Sequence, residues 1–182
     1  DYPSVAEDYR ARKSPAAPGA SPAENPPKKD SSAMLTNAVY DSLMICLYND
    51  GVAQGMADIL QDAWIEEASL PAAVLKKILA LYREGIGFSV SDIETYFENP
   101  EEKNIIYKIL SEKSSDIDNP AKVANECIAK IYHNFIKREI EALNAQLVLA
   151  DNNDSAEKFE ILKRISALRK LSATPPARIE LA

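Results

Sequence analysis

The C-terminal third constrains the fold most. Asn119-Pro120 opens a helical pattern whose apolar stripe runs to Ala150, and Asp151-Asn152-Asn153-Asp154 interrupts it. A second, shorter amphipathic pattern follows and ends near Leu171. A helix of about 30 residues spans about 45 Å, more than a compact domain of this size can enclose. Its far half must therefore project from the body, and the shorter helix is expected to fold back along it as an antiparallel hairpin. Such a shape favours a binding module over an enclosed catalytic pocket.

The stripe supports this reading in detail. Ala124, Ile128, Ile131 and Phe135 form one three-four seam, and Ile136, Ile140, Leu143, Leu147 and Ala150 form another. The register moves by one residue at Phe135-Ile136, as expected if the first seam packs on a bundle and the second on the hairpin partner. The partner offers Ile161, Leu162, Ile165, Leu168 and Leu171 after a box-like cap at Asp154-Ser155-Ala156-Glu157.

Upstream, every periodic segment from Ala33 onwards has helical spacing, so the fold class is all-α. Leu35, Val39, Leu43 and Leu47 recur every four residues and predict a first helix ending near Asn49-Asp50-Gly51, with Gly51 closing it in the left-handed conformation. Val52 to about Glu66 is a weaker helix. A third runs from about Leu70 to Tyr82, with Gly85 and Gly87 ending it. Ser89-Val90-Ser91-Asp92 resembles a capping box before Ile93, Tyr96 and Phe97. Asn99-Pro100 and Asn119-Pro120 each pair an N-cap with proline at the first helical position, where its missing donor costs nothing. They are the firmest boundaries in the chain.

Residues 1 to 32 are of another kind. Six prolines are scattered among Ala, Ser, Glu and Lys, and five acids are balanced by five bases. Such a segment cannot bury enough apolar surface to offset its ordering entropy. The expected organisation is a disordered Pro-rich linker (1–32), a helical bundle (33–135), a helical hairpin (136–172) and a disordered tail (173–182). The start at Asp1, without an initiator Met, suggests a piece of a larger protein.

Charge and motifs narrow the function. The net charge of −7 falls on the folded part and opposes a phosphate backbone, so no direct nucleic-acid binding is expected. No apolar run approaches the roughly 20 residues that cross a bilayer, and no signal peptide is evident. Cys46 and Cys127 lie far apart without metal-ligand spacing, consistent with buried thiols in the cytoplasm. No metal or cofactor is expected. His133, the only histidine, has no convincing nucleophile beside it. Glu66-Glu67 and Glu101-Glu102 diverge on their helices and are expected to be solvated. Trp64, Tyr82, Tyr96 and Phe97 could line an aromatic pocket, though core packing explains them better. No catalytic residue emerges. The last helix is basic, with Lys158, Lys163, Arg164, Arg169 and Lys170 against Glu157 and Glu160. A solvated face explains this; an electropositive stripe meeting an acidic partner is the sharper alternative.

A Pro-rich linker, a small helical bundle and a long helix leading into a terminal hairpin together resemble the C-terminal helicase-binding domain of bacterial replicative primase (DnaG type). The resemblance covers about residues 34 to 172. It is carried by Val74-Leu75-Lys76-Lys77-Ile78-Leu79, Ser91-Asp92-Ile93-Glu94-Thr95-Tyr96-Phe97 and Asn104-Ile105-Ile106-Tyr107-Lys108-Ile109-Leu110. Ile136-Lys137-Arg138-Glu139-Ile140-Glu141-Ala142-Leu143 and the stretch from Glu160 to Leu171 complete it. The resemblance implies a catalytically inert domain that docks on the N-terminal collar of the hexameric replicative helicase (DnaB type), its hairpin supplying the attachment. It also implies, for some members, a bundle that receives the tail of the single-strand-binding protein. The family's zinc-binding and polymerase domains lie upstream, and their motifs are absent here. The expected partner-binding residues are Leu147, Val148, Leu149, Phe159 and Leu162 as apolar anchors at the hairpin tip, with Lys163, Arg164 and Arg169 setting orientation. The alternatives are a self-associating helical scaffold module and a helical enzyme with an unrecognised carboxylate site.

Overall fold

The computed structural model describes residues 31–66, 69–112, 117–150 and 155–180. All regular structure among them is helical: α1 (Ser31–Tyr48), α2 (Asp50–Ile59), α3 (Leu70–Arg83), α4 (Ile93–Tyr96), α5 (Pro100–Ser111), α6 (Pro120–Leu149) and α7 (Ser155–Ser172). Short 3-10 turns at Asp62–Trp64 and Val90–Asp92 precede α3 and α4. The fold is all-α. The expected linker lies outside the described residues as far as residue 30, and Ser31 and Ser32 already belong to α1.

The principal core lies among α1, α2, α3, α5 and the first half of α6. Leu43, Ile45, Met56, Leu75, Ile78, Phe97, Ile106, Ile109 and Ile128 are fully buried within it. Each buried aliphatic or aromatic side chain contributes roughly 1.5–3 kcal/mol, so the bundle rests mainly on apolar burial. A second, much smaller core of Leu143, Ile161 and Ile165 joins the second half of α6 to α7, with Ile140, Leu147 and Leu168 packed around it. Contacts between these helices run in opposite chain directions. Leu143 shares a cluster with Ile161 and Ile165, whereas the Tyr132 hydroxyl donates to the Leu171 carbonyl at 3.4 Å.

Local chemistry explains most boundaries. Asn99 Oδ1 accepts from the Glu101 amide at 2.9 Å, and Asn119 Oδ1 from the Lys122 amide at 3.1 Å, so both Asn-Pro starts cap their helices. Asn119 does so with a left-handed backbone, φ 55°, a conformation that Asn tolerates better than most residues. The capping box at Ser89 forms, with the Ser89 amide donating to Asp92 at 3.0 Å. Gly85 and Gly87, each at φ 74°, terminate α3.

Three expectations are corrected. Gly51 does not close α1; the break falls at Asn49 alone, and Gly51 lies inside α2. The helix expected over Val52–Glu66 stops at Ile59 because Leu60 turns extended. Arg83, from α3, donates to the Ala57 carbonyl at 3.0 Å and the Leu60 carbonyl at 2.5 Å, and pairs with Asp62 at 2.7 Å. Those bonds satisfy the carbonyls that a longer helix would have used.

The third correction concerns the tail, expected to be disordered from residue 173. Residues 173–180 instead run back along the bundle. The Ile179 amide donates to Asn125 Oδ1 at 2.8 Å, and Asn125 Nδ2 donates to the Ile179 carbonyl at 3.2 Å. The Ile179 side chain packs on the principal core over Gly55 of α2. A Cβ at Gly55 would lie 3.0 Å from Ile179 Cγ2, so glycine is what permits the approach. A helix-interior glycine costs about 1 kcal/mol relative to alanine.

Candidate docking surface

Among the described residues, five of the nine large exposed hydrophobic side chains lie on α6 and α7, the other four being Ile86, Val90, Tyr96 and Tyr107. At the end of α6, Val148 and Leu149 are 84% and 85% exposed. On α7, Phe159 is 66% exposed, Leu162 51% and Leu171 49%. Contiguous exposed apolar groups of this kind are candidates for a contact surface.

The architecture of α7 explains how these residues stay outside. Ile161, Ile165 and Leu168 occupy one face and pack on α6. Phe159, Leu162, Lys163, Ser166, Ala167 and Lys170 recur at three- and four-residue steps on a different face and line a single shallow groove. The helix thus has two stripes, one facing α6 and one facing solvent. The outer groove is apolar at its Phe159–Leu162 end and cationic towards Lys163 and Lys170. Glu160 partly offsets Lys163 through an exposed ion pair at 3.6 Å; such a pair contributes little to stability.

The expected site residues separate into three groups. Phe159, Leu162 and Lys163 share the groove, and Val148 and Leu149 are exposed on α6. Leu147 faces inward, against the Leu143–Ile161–Ile165 cluster, and acts as packing. Arg164 and Arg169 are exposed but lie outside the groove lining. Ser166, Ala167 and Lys170 complete the groove; their spacing from Phe159 was the available signal. The acidic cap expected at Asp154 and the turn Asp151–Asp154 fall outside the described residues.

The other candidate chemistry is absorbed into structure. Burial pushes the Cys46 thiol up to about 12 and the Cys127 thiol to about 11, so neither is a ready nucleophile. His133 Nδ1 lies 2.6 Å from the Ala129 carbonyl and Nε2 3.2 Å from the Ser172 carbonyl, which ties the end of α7 to α6. Glu102 is not solvated as expected; it is 5% exposed, and Lys77 Nζ donates to both its oxygens at 2.7 and 2.9 Å. Lys77 also sits 5.6 Å from the centroid of the buried Phe97 ring. Glu66 pairs with Arg138 at 3.1 Å, and Arg138 donates to the Trp64 carbonyl at 3.1 Å.

The aromatic residues do not converge on one pocket. Trp64 lies 4.8 Å from Tyr132 with the rings tilted by 59°, Phe97 meets Phe88 edge-on, Tyr82 is buried and Tyr96 is exposed. Among the described residues, no group of three or more His, Cys, Asp or Glu is placed to hold a metal ion, and no helix is long and apolar enough to cross a membrane.

No protein family, curated protein or solved structure gives a match to this chain.

Proposed function

We propose that this chain is a non-catalytic docking domain of the bacterial replicative primase type, which binds the N-terminal domains of the hexameric replicative helicase and couples primer synthesis to unwinding. The observation that carries the reading is the apolar surface on α6 and α7: Val148, Leu149, Phe159 and Leu162 are all more than half exposed. The resemblance of the helix order and apolar spacing to the primase domain supplies the identity of the partner. Mechanistically, the apolar anchors would lose their water against helicase helices, while Lys163 and Lys170 set the approach to acidic groups.

Calorimetric titration of this chain into the same organism's hexameric helicase tests the reading. Saturable binding is expected. Burial of one anchor is worth roughly 1.5–3 kcal/mol, so Leu149→Asp and Phe159→Asp should each weaken it by about tenfold or more. Their exposure means that the helical circular dichroism should not change. A folded wild-type chain that gives no binding would remove the primase reading. Mass rising with concentration, and abolished by the same two substitutions, would then assign the surface to a second copy of the chain.

A further inference from the structure

The groove that receives the C-terminal segment has the chemistry of a recognition site. Gly55 of α2 and Asn125 in the first half of α6 hold the segment between them, and an open cavity of about 480 Å³ remains beside it, between residues 175–179 and Asn119, Lys122 and Glu126 of α6. The Asn125 side-chain amide accepts from the amide and donates to the carbonyl of one residue, Ile179, at 2.8 and 3.2 Å. A side-chain amide used in this way reads extended main chain, which any peptide can offer. Selectivity enters at a single position, where the Ile179 side chain rests over Gly55. That glycine lies inside α2, where the helix itself has no use for it.

The segment is lightly held. Thr174, Pro175, Ala177, Arg178 and Glu180 are exposed, Pro176 and Ile179 are half-buried, and Ile179 is the residue packed on the core. Pro175-Pro176 stiffens the approach and reduces the ordering needed on docking. A backbone clamp, one aliphatic seat and a weakly anchored occupant are the features of a site that exchanges its ligand.

We propose that the groove between α2 and α6 is a recognition site for extended peptides bearing a β-branched aliphatic anchor, and that residues 175–180 are its resident, exchangeable occupant. In the intact chain the tether keeps the local concentration of this occupant high. An external segment of the same chemistry binds when it displaces the tail or when the tail is drawn away.

The test uses the full chain and a labelled synthetic peptide of its own residues 174–182, read by fluorescence anisotropy. Ile179→Asp in the chain should vacate the seat, so the wild-type peptide should bind that variant at least tenfold more tightly than it binds the wild-type chain. Adding Asn125→Leu or Gly55→Val to the Ile179→Asp chain should each weaken binding tenfold or more, the first by removing the clamp and the second by filling the seat. A peptide carrying the same Ile-to-Asp change should not bind. Should Ile179→Asp lose its helical signal, Ile179→Ala gives the same comparison with a milder change. The proposal is overturned if the folded, vacated chain does not bind the wild-type peptide, or binds it equally with Asn125→Leu or Gly55→Val present.

Discussion

Tyr82 joins three helices through one oxygen. Its hydroxyl lies 2.8 Å from Asp50 Oδ1 and 3.2 Å from the Cys46 carbonyl, so a residue of α3 serves the junction where α1 breaks and α2 begins. Tyr82→Phe should cost about 0.5–1.5 kcal/mol in urea unfolding, because the single hydroxyl proton serves one acceptor at a time and the exposed Asp50 carboxylate can turn to water when it is lost. Burial first, and then the Asp50 carboxylate, raise the phenol well above its ordinary range. A raised folded value means that this stability is fully present below the unfolded pKa of about 10 and disappears as pH climbs through the folded one. Stability measured from pH 9 upward should therefore fall more steeply in the wild type than in Tyr82→Phe. The Lys77–Glu102 pair makes a related case at neutral pH. Lys77→Met leaves a buried carboxylate without its donor and should cost about 1–3 kcal/mol, the half-exposed lysine keeping the loss below that of a fully buried pair. Replacing Glu102 by Leu as well should recover much of it. None of this pairing was legible in the sequence, where Glu101 and Glu102 look equally solvated; only tertiary packing distinguishes them.

At the scale of elements, the signals that worked were those confined to a few consecutive residues. Asn99-Pro100, Asn119-Pro120 and the Ser89 box need only their own backbone to act, and they act. The end of α2 depended on Arg83, more than twenty residues away, and periodicity contains no trace of such a bond. The α7 groove is half legible: Phe159, Leu162 and Lys163 stand out by residue type, but the residues continuing that face, Ser166, Ala167 and Lys170, look ordinary without the buried stripe beside them. The contrast between the two cores also bears on dynamics. Among the described residues, the apolar cluster where α7 meets α6 is built on Leu143, Ile161 and Ile165, against Ala72, Val74, Leu75, Ile78 and Leu79 within α3 alone. Local opening follows the apolar contact that it must break. Amide hydrogen exchange by mass spectrometry should therefore show α7 exchanging at least tenfold faster than α3. Equal protection would mean that the two cores open as one unit.

For the whole molecule, the all-α class and the sharing of α6 between two packing environments were readable from the three-four seams and their shift at Phe135-Ile136. The shift is visible in burial: Ala124, Cys127, Ile128 and Ile131 face the principal core, Phe135 is only half-buried, and Ile136 and Leu143 carry the buried face onward. The order of the tail is absent from its own sequence for a physical reason. Short, proline-containing and polar, residues 173–180 have no internal pattern, and their order comes from Asn125 and Gly55, each of which looks ordinary in its own helix. The unbroken course of α6, 30 residues long, has a mechanical meaning as well. A stiff rod shared by two bodies transmits azimuth as well as position, with no joint to absorb error. Whatever grips its far end would fix the heading of the bundle, so attachment there would aim the rest of the molecule instead of merely keeping it nearby.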